Sequence, residues 1–111
     1  MKTINVLGSE YNVHERTPAD DPALNDCDGY CDKTSHKIVV IAAPSEDSDI
    51  DFFEVYKKKV IRHEIIHAFL FESGLGENWE HKNFGHEETV VDWIAIQFPK
   101  ILAAFVEADA L

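Results

Sequence analysis

Val60-Ile61-Arg62-His63-Glu64-Ile65-Ile66-His67-Ala68-Phe69-Leu70 lies in the middle of a run, residues 50–73, that holds neither proline nor glycine. That length reads as about six helical turns beginning near Ile50 to Phe52 and ending at Ser73. Asp51 followed by Glu54 resembles a capping box, with acids where a helix N-terminus stabilises them. Gly74-Leu75 looks like a left-handed cap followed by a hydrophobic residue. Inside such a helix, residues four apart stand one above the other, so His63 and His67 can reach one metal ion from a rigid support. Glu64 follows the first imidazole by about 100°, which sets its carboxylate beside the metal's open position. Zinc lowers the pKa of a bound water to about 7, and Glu64 is then placed to take its proton as general base. A chain of this composition holds such a motif by chance about 0.03 times.

Working outward, Lys37–Ala42 is a compact β-branched run that suits a mostly buried strand. Two short extended runs, Thr3–Leu7 and Tyr11–Glu15, are joined through Gly8-Ser9 and read as a hairpin. Residues 17–36 are rich in Pro, Asp, Asn and Gly and read as turns, with room for short helical pieces. Leu75–Gly85 reads as a loop. From Glu87 onward the chain is helix-compatible, and Pro99 either kinks one helix or opens a second. The expected fold is α+β: one domain over 1–111, with a small antiparallel sheet packed on the central helix and a second, C-terminal one.

Composition excludes several functions. Lys+Arg 10 against Asp+Glu 21 gives a net charge of −11, which repels phosphate backbones and anionic lipid, so neither nucleic acid nor membrane is an expected partner. Lys57-Lys58-Lys59 reads as the wet face of a helix. No apolar run reaches the ~18 residues of a membrane span and the N-terminus lacks a secretion signal's apolar core, so a cytoplasmic protein is expected. Cys27 and Cys31 are too few for a disulfide framework and read as thiols, their spacing being unlike a zinc knuckle.

Catalytic zinc takes about three protein ligands and keeps one position for water. The extended motif with Gly at position 70 and His at 73 is excluded, because these are Leu70 and Ser73. The third ligand must then come from downstream, where His81, His86, Glu87 and Glu88 are all chemically competent.

Three segments carry a family resemblance: Asp28–Ala42 (DGYCDKTSHKIVVIA), Arg62–Leu75 (RHEIIHAFLFESGL) and Glu87–Ile101 (EETVVDWIAIQFPKI). Together with HEIIH, they resemble the small zincin-like metallopeptidases of phages and prophages of Firmicutes, relatives of the minigluzincins and more distantly of the ImmA/IrrE peptidases. From Asp28 to Ile101 the likeness spans roughly two thirds of the chain. It implies one zinc per chain, ligands His63 and His67, base Glu64 and an acidic third ligand. It also implies an edge strand, Lys37–Ala42, that lies beside the metal and pairs with an extended peptide. Glu88 and Asp92, four apart, resemble the Glu-x-x-x-Asp element of thermolysin-like gluzincins. That implies Glu88 as third ligand and Asp92 as acceptor of a hydrogen bond from a ligand imidazole, with Glu87 and His86 as alternatives. The substrate-stabilising His and Tyr of thermolysin have no placed match, and Tyr30 and His86 are the candidates. The function expected is zinc-dependent hydrolysis of a peptide bond in a peptide or protein substrate, in the host cytoplasm if the chain is phage-encoded. The alternative is a catalytically silent, metal-stabilised binding or regulatory module. The chain's small size favours a homodimer or a partner domain that completes the cleft, and cleavage of a repressor enters by analogy with the wider family.

Overall fold

Alternation of buried and exposed positions sets the first strands: Ile4 and Val6, then Tyr11 and Val13, point inward while their neighbours face water. The structure is a computed structural model that describes residues 1–44, 50–75 and 88–111, with the backbone alone for 88, 89, 91, 92 and 95. Strand β1 (Lys2–Val6) pairs antiparallel with β2 (Ser9–Arg16). The turn residues are Leu7 and Gly8 rather than Gly8-Ser9, and their positive φ values, 54° and 95°, are what a two-residue type I′ hairpin requires. After a single 3-10 turn at Pro22–Asn25, β3 (Gly29–Asp32) and β4 (Lys37–Ile41) form a second hairpin.

The sheet order is β1-β2-β4-β3, and β4 runs parallel to β2, so the sheet is mixed and not antiparallel. The reason is β3, which lies in the stretch 17–36 read from sequence as turns. The chain crosses to the far edge, makes β3 there, and returns β4 into the gap beside β2 in the same direction. Lys37–Ala42 is therefore interior, and β3, like β1, is an edge strand among the described residues. Burial agrees: Ile38, Val39, Val40 and Ile41 are all buried, as a strand covered on both faces demands.

Helix α1 (Phe53–Glu72) and helix α2 (Glu88–Glu107) pack on one face of this sheet. From α1, Ile61, Ile65, Ala68 and Phe69 meet Ile4, Val6, Tyr11, Val13, Ile38 and Val40; from α2, Ile101, Ala104 and Phe105 close the same core. Spacing of i, i+4, i+7 and i+8 puts the first four on one stripe. The opposite face carries a smaller cluster of Leu24, Val39 and Ile41 with Tyr30 and Phe53 against it. At the N-terminus of α1 the capping box does not form. Phe52 is the cap residue in the left-handed region (φ 56°) with no side-chain cap bond, and Glu54 reaches forward to Lys57 at 3.1 Å. Asp51 stands one position too early, because the first helical bonds run from Val55 and Tyr56 N–H to the Phe52 carbonyl. At the other end Gly74 takes φ 81°, as expected. Helix α2 runs through Pro99 as one element.

Three bonds tie the end of α1 to the sheet and to α2. Tyr11 and Ser9 donate to the two oxygens of Glu72 at 2.8 and 3.0 Å, and Trp93 Nε1 donates to Ser73 Oγ at 3.2 Å. No described helix is long and apolar enough to cross a membrane.

Candidate metal centre

Helical rotation places Tyr56, Val60, His63 and His67 in one row along α1, at steps of four, three and four. That row borders the buried stripe, so its side chains stand between core and solvent. His63 Nε2 and His67 Nε2 converge to 3.1 Å, and a Glu64 oxygen lies 3.8 Å from His63 Nε2. One ligand atom from each residue fits within 4.8 Å of the others. His63 is exposed and His67 half-buried, whereas Glu64, on the sheet side of the pair, is only 6 % exposed. Burial pushes the Glu64 carboxyl above the usual carboxylate range, and the two neighbouring imidazoles pull it back.

The donor set suits a divalent ion. Zinc bonded to two imidazoles at about 2.0–2.1 Å in a tetrahedral site holds their nitrogens roughly 3.3 Å apart. The observed separation of 3.1 Å lies close to that. Two imidazoles are also ligands that zinc takes in hydrolytic sites, and the Glu64 carboxylate stands beside them.

Edge strand β3 runs beside the row. Tyr56 hydroxyl donates to Asp28, at the strand's entry. Gly29 lies so close to Val60 that a Cβ there would fall 2.8 Å from Val60 Cγ1. Cys31 is half-buried against the core, and burial, followed by the Glu64, Asp32 and Glu72 carboxylates, pushes its thiol up to about 12. Between strand and helix is a cleft of about 220 Å³ lined by Asp28, Gly29, Tyr56, Lys59, Val60, His63 and Glu64. On the other flank of His67, an apolar groove of about 590 Å³ separates α1 from α2, with Ile66, Leu70, Trp93 and Phe98 in its walls.

Of the residues singled out from sequence, His63, Glu64 and His67 come together. Glu88 and Asp92 belong to the first two turns of α2, and their side chains lie outside the described residues, as do His81, His86 and Glu87 entirely. Tyr30 is engaged elsewhere: its hydroxyl donates to Asp21 and its ring packs on the small cluster of the opposite sheet face. Cys27 and Cys31 are free thiols. Tyr56, Lys59, Asp28 and Gly29 were not foreseen as neighbours of the site. Positions 56, 60, 63 and 67 do share a helical row, and that spacing is the signal that could have found Tyr56.

No family model matches this chain, and neither the curated proteins nor the solved structures include a significant match to it.

Proposed function

We propose that this chain is a minimal zinc-dependent peptidase of the gluzincin type, with His63 and His67 as ligands, Glu64 as general base and Glu88 as third ligand. The observation that carries the reading is the convergence of the two imidazole nitrogens to 3.1 Å beside a buried carboxylate. Bound there, zinc supplies Lewis acidity for the scissile carbonyl and a water acidic enough to lose a proton near neutral pH. Glu64 supplies the proton acceptor. Its burial disfavours the ionised form, so it accepts a proton more readily than a solvated carboxylate and can return it to the leaving amine. Among the described residues β3 has a strand on one side only, so its outer edge offers backbone N–H and C=O groups beside the same cleft, where an extended peptide can add as a further strand.

Metal content by mass spectrometry on untagged protein is the decisive test. One zinc per chain is expected, retained in Glu64→Gln and lost in His63→Ala, His67→Ala and Glu88→Ala. Loss in Glu87→Ala instead moves the third ligand by one residue. Wild type then cleaves peptides and Glu64→Gln does not. A chain that takes up no zinc refutes the reading, and one that binds zinc but cleaves no peptide is a metal-stabilised binding module.

A further inference from the structure

The run Lys57-Lys58-Lys59 does not behave as one solvated patch. Lys57 Nζ lies 2.6 Å from Glu15 and 3.1 Å from Glu54. Lys58 donates to the Leu111 carbonyl at 3.0 Å and faces Asp109 at 4.0 Å. Lys59 differs from both. It has no ion pair among the described residues; its ammonium sits 6.0 Å from the Tyr56 ring centroid, and it lines the cleft that His63 and Glu64 share. Lys37 and Lys100 also make no ion pair among the described residues, but Lys59 is the lysine that lines this cleft. The Asp28 carboxylate in the same cleft is engaged by the Tyr56 hydroxyl.

We propose that Lys59 is the specificity-determining residue of this cleft, a subsite for a substrate carboxylate, so that favoured peptides carry an acidic group close to the bond held at His63, Glu64 and His67. This rests on the peptidase reading above. Lys59 and His63 are one helical turn apart, about 6 Å along the axis. An extended peptide advances about 3.3 Å per residue, so the acidic group falls within about two residues of the scissile bond. Glu64 repels a carboxylate at the His63 end of the cleft, which leaves Lys59 as the cation that can receive one, beside an Asp28 already engaged by Tyr56. The carboxylate comes from an Asp or Glu side chain or from a peptide C-terminus, and both are captured by the same chemistry.

The test uses zinc-loaded full-length protein and hexapeptides that differ only by Glu or Gln at one position, each as free acid and as C-terminal amide. Cleavage is followed by mass spectrometry for wild type, Lys59→Met and Lys59→Arg. Binding of the same peptides to Glu64→Gln and to Glu64→Gln/Lys59→Met, by NMR titration, is the second readout. Wild type should favour Glu over Gln about three- to fivefold within two residues of the cut, the scale of an exposed ion pair. Lys59→Met should abolish the preference, Lys59→Arg should keep it, and 0.5 M salt should weaken it. Preference for the free acid over the amide, lost in Lys59→Met, assigns the C-terminus as the source. A preference that survives in Lys59→Met, or none in wild type, overturns the subsite. If wild type cleaves no peptide, the peptidase reading fails, and binding still decides: a carboxylate preference that needs Lys59 sustains the subsite, and equal or absent binding overturns it.

Discussion

Replacing Gly29 by alanine tests how tightly edge strand β3 is set against helix α1. At an ordinary strand position this change helps, because glycine gives up more backbone freedom on folding; the gain is about 0.5–1 kcal/mol. Gly29 has no positive φ that would oppose a side chain. Space opposes it instead. The new Cβ would lie 2.8 Å from Val60 Cγ1, 3.1 Å from the Val39 carbonyl oxygen and 3.2 Å from Val40 Cγ1. None of these is the free end of a long side chain: two are methyls of β-branched residues with restricted rotamers, and the third is sheet backbone. Overpacking of this kind costs about 1–3 kcal/mol, so the net expectation is a loss of about 1–2 kcal/mol, or roughly 4–10 °C in melting temperature. Urea denaturation of wild type, Gly29→Ala, Val60→Ala and the double variant isolates the contact. Val60→Ala alone costs about 1–2 kcal/mol of lost burial, and in the pair the alanine at 29 should cost at least 1 kcal/mol less than in wild type. Additive effects, or a Gly29→Ala chain as stable as wild type, would show that β3 does not press on α1 at this point.

Three further outcomes are expected. Phe52→Asn should stabilise the chain by about 1 kcal/mol in thermal melts, because Phe52 is 83 % exposed, left-handed and caps α1 without a side-chain bond, whereas asparagine tolerates that conformation and caps well. The Tyr30 hydroxyl, with help from the Ala23 N–H and Arg16, holds the Asp21 carboxyl below the usual carboxylate range. A depressed value means a contribution fully present above about pH 4 and lost as pH falls through the folded value; Asp21→Asn should therefore lower stability at pH 7 and flatten its decline below pH 4 in urea titrations. Zinc at about 100 times its dissociation constant should add about 2.7 kcal/mol to wild type and to Glu64→Gln, and nothing to His63→Ala, in calorimetric scans.

Helix α1 was legible because its evidence is local: an unbroken run of helix-compatible residues, an inward stripe at Ile61, Ile65, Ala68 and Phe69, and Gly74 where the chain turns left-handed. Strand β4 was legible for a related reason, since a continuous Ile38–Ile41 run has no exposed face to alternate with. Strand β3 was hidden. Gly29-Tyr30-Cys31-Asp32 is bounded by two poor strand formers, Gly29 and Asp32, and is half-buried at every position, so its conformation comes from pairing with β4 and docking on Val60. With β3 unseen, the parallel alignment of β2 and β4 could not be read either. The lysine run shows the same limit at the site. The partners of Lys57 and Lys58 include Glu15 and Asp109, remote in sequence, and only the assembled fold separates those two from Lys59.

Glu64 stands apart from the residues around it. Ile61, Ile65, Ala68 and Phe69 are accounted for by the core they fill, and an apolar side chain at position 64 would serve that packing as well or better. A carboxylate taken out of water needs strong partners to avoid a loss of stability. Its ionic neighbours among the described residues are the imidazoles of His67 and of His63, the latter at 3.8 Å, beyond hydrogen-bonding distance. The packing of the described residues therefore gives no reason for an acid there. The proton transfer proposed for Glu64 would give one, because that chemistry needs a carboxylate that is positioned and desolvated.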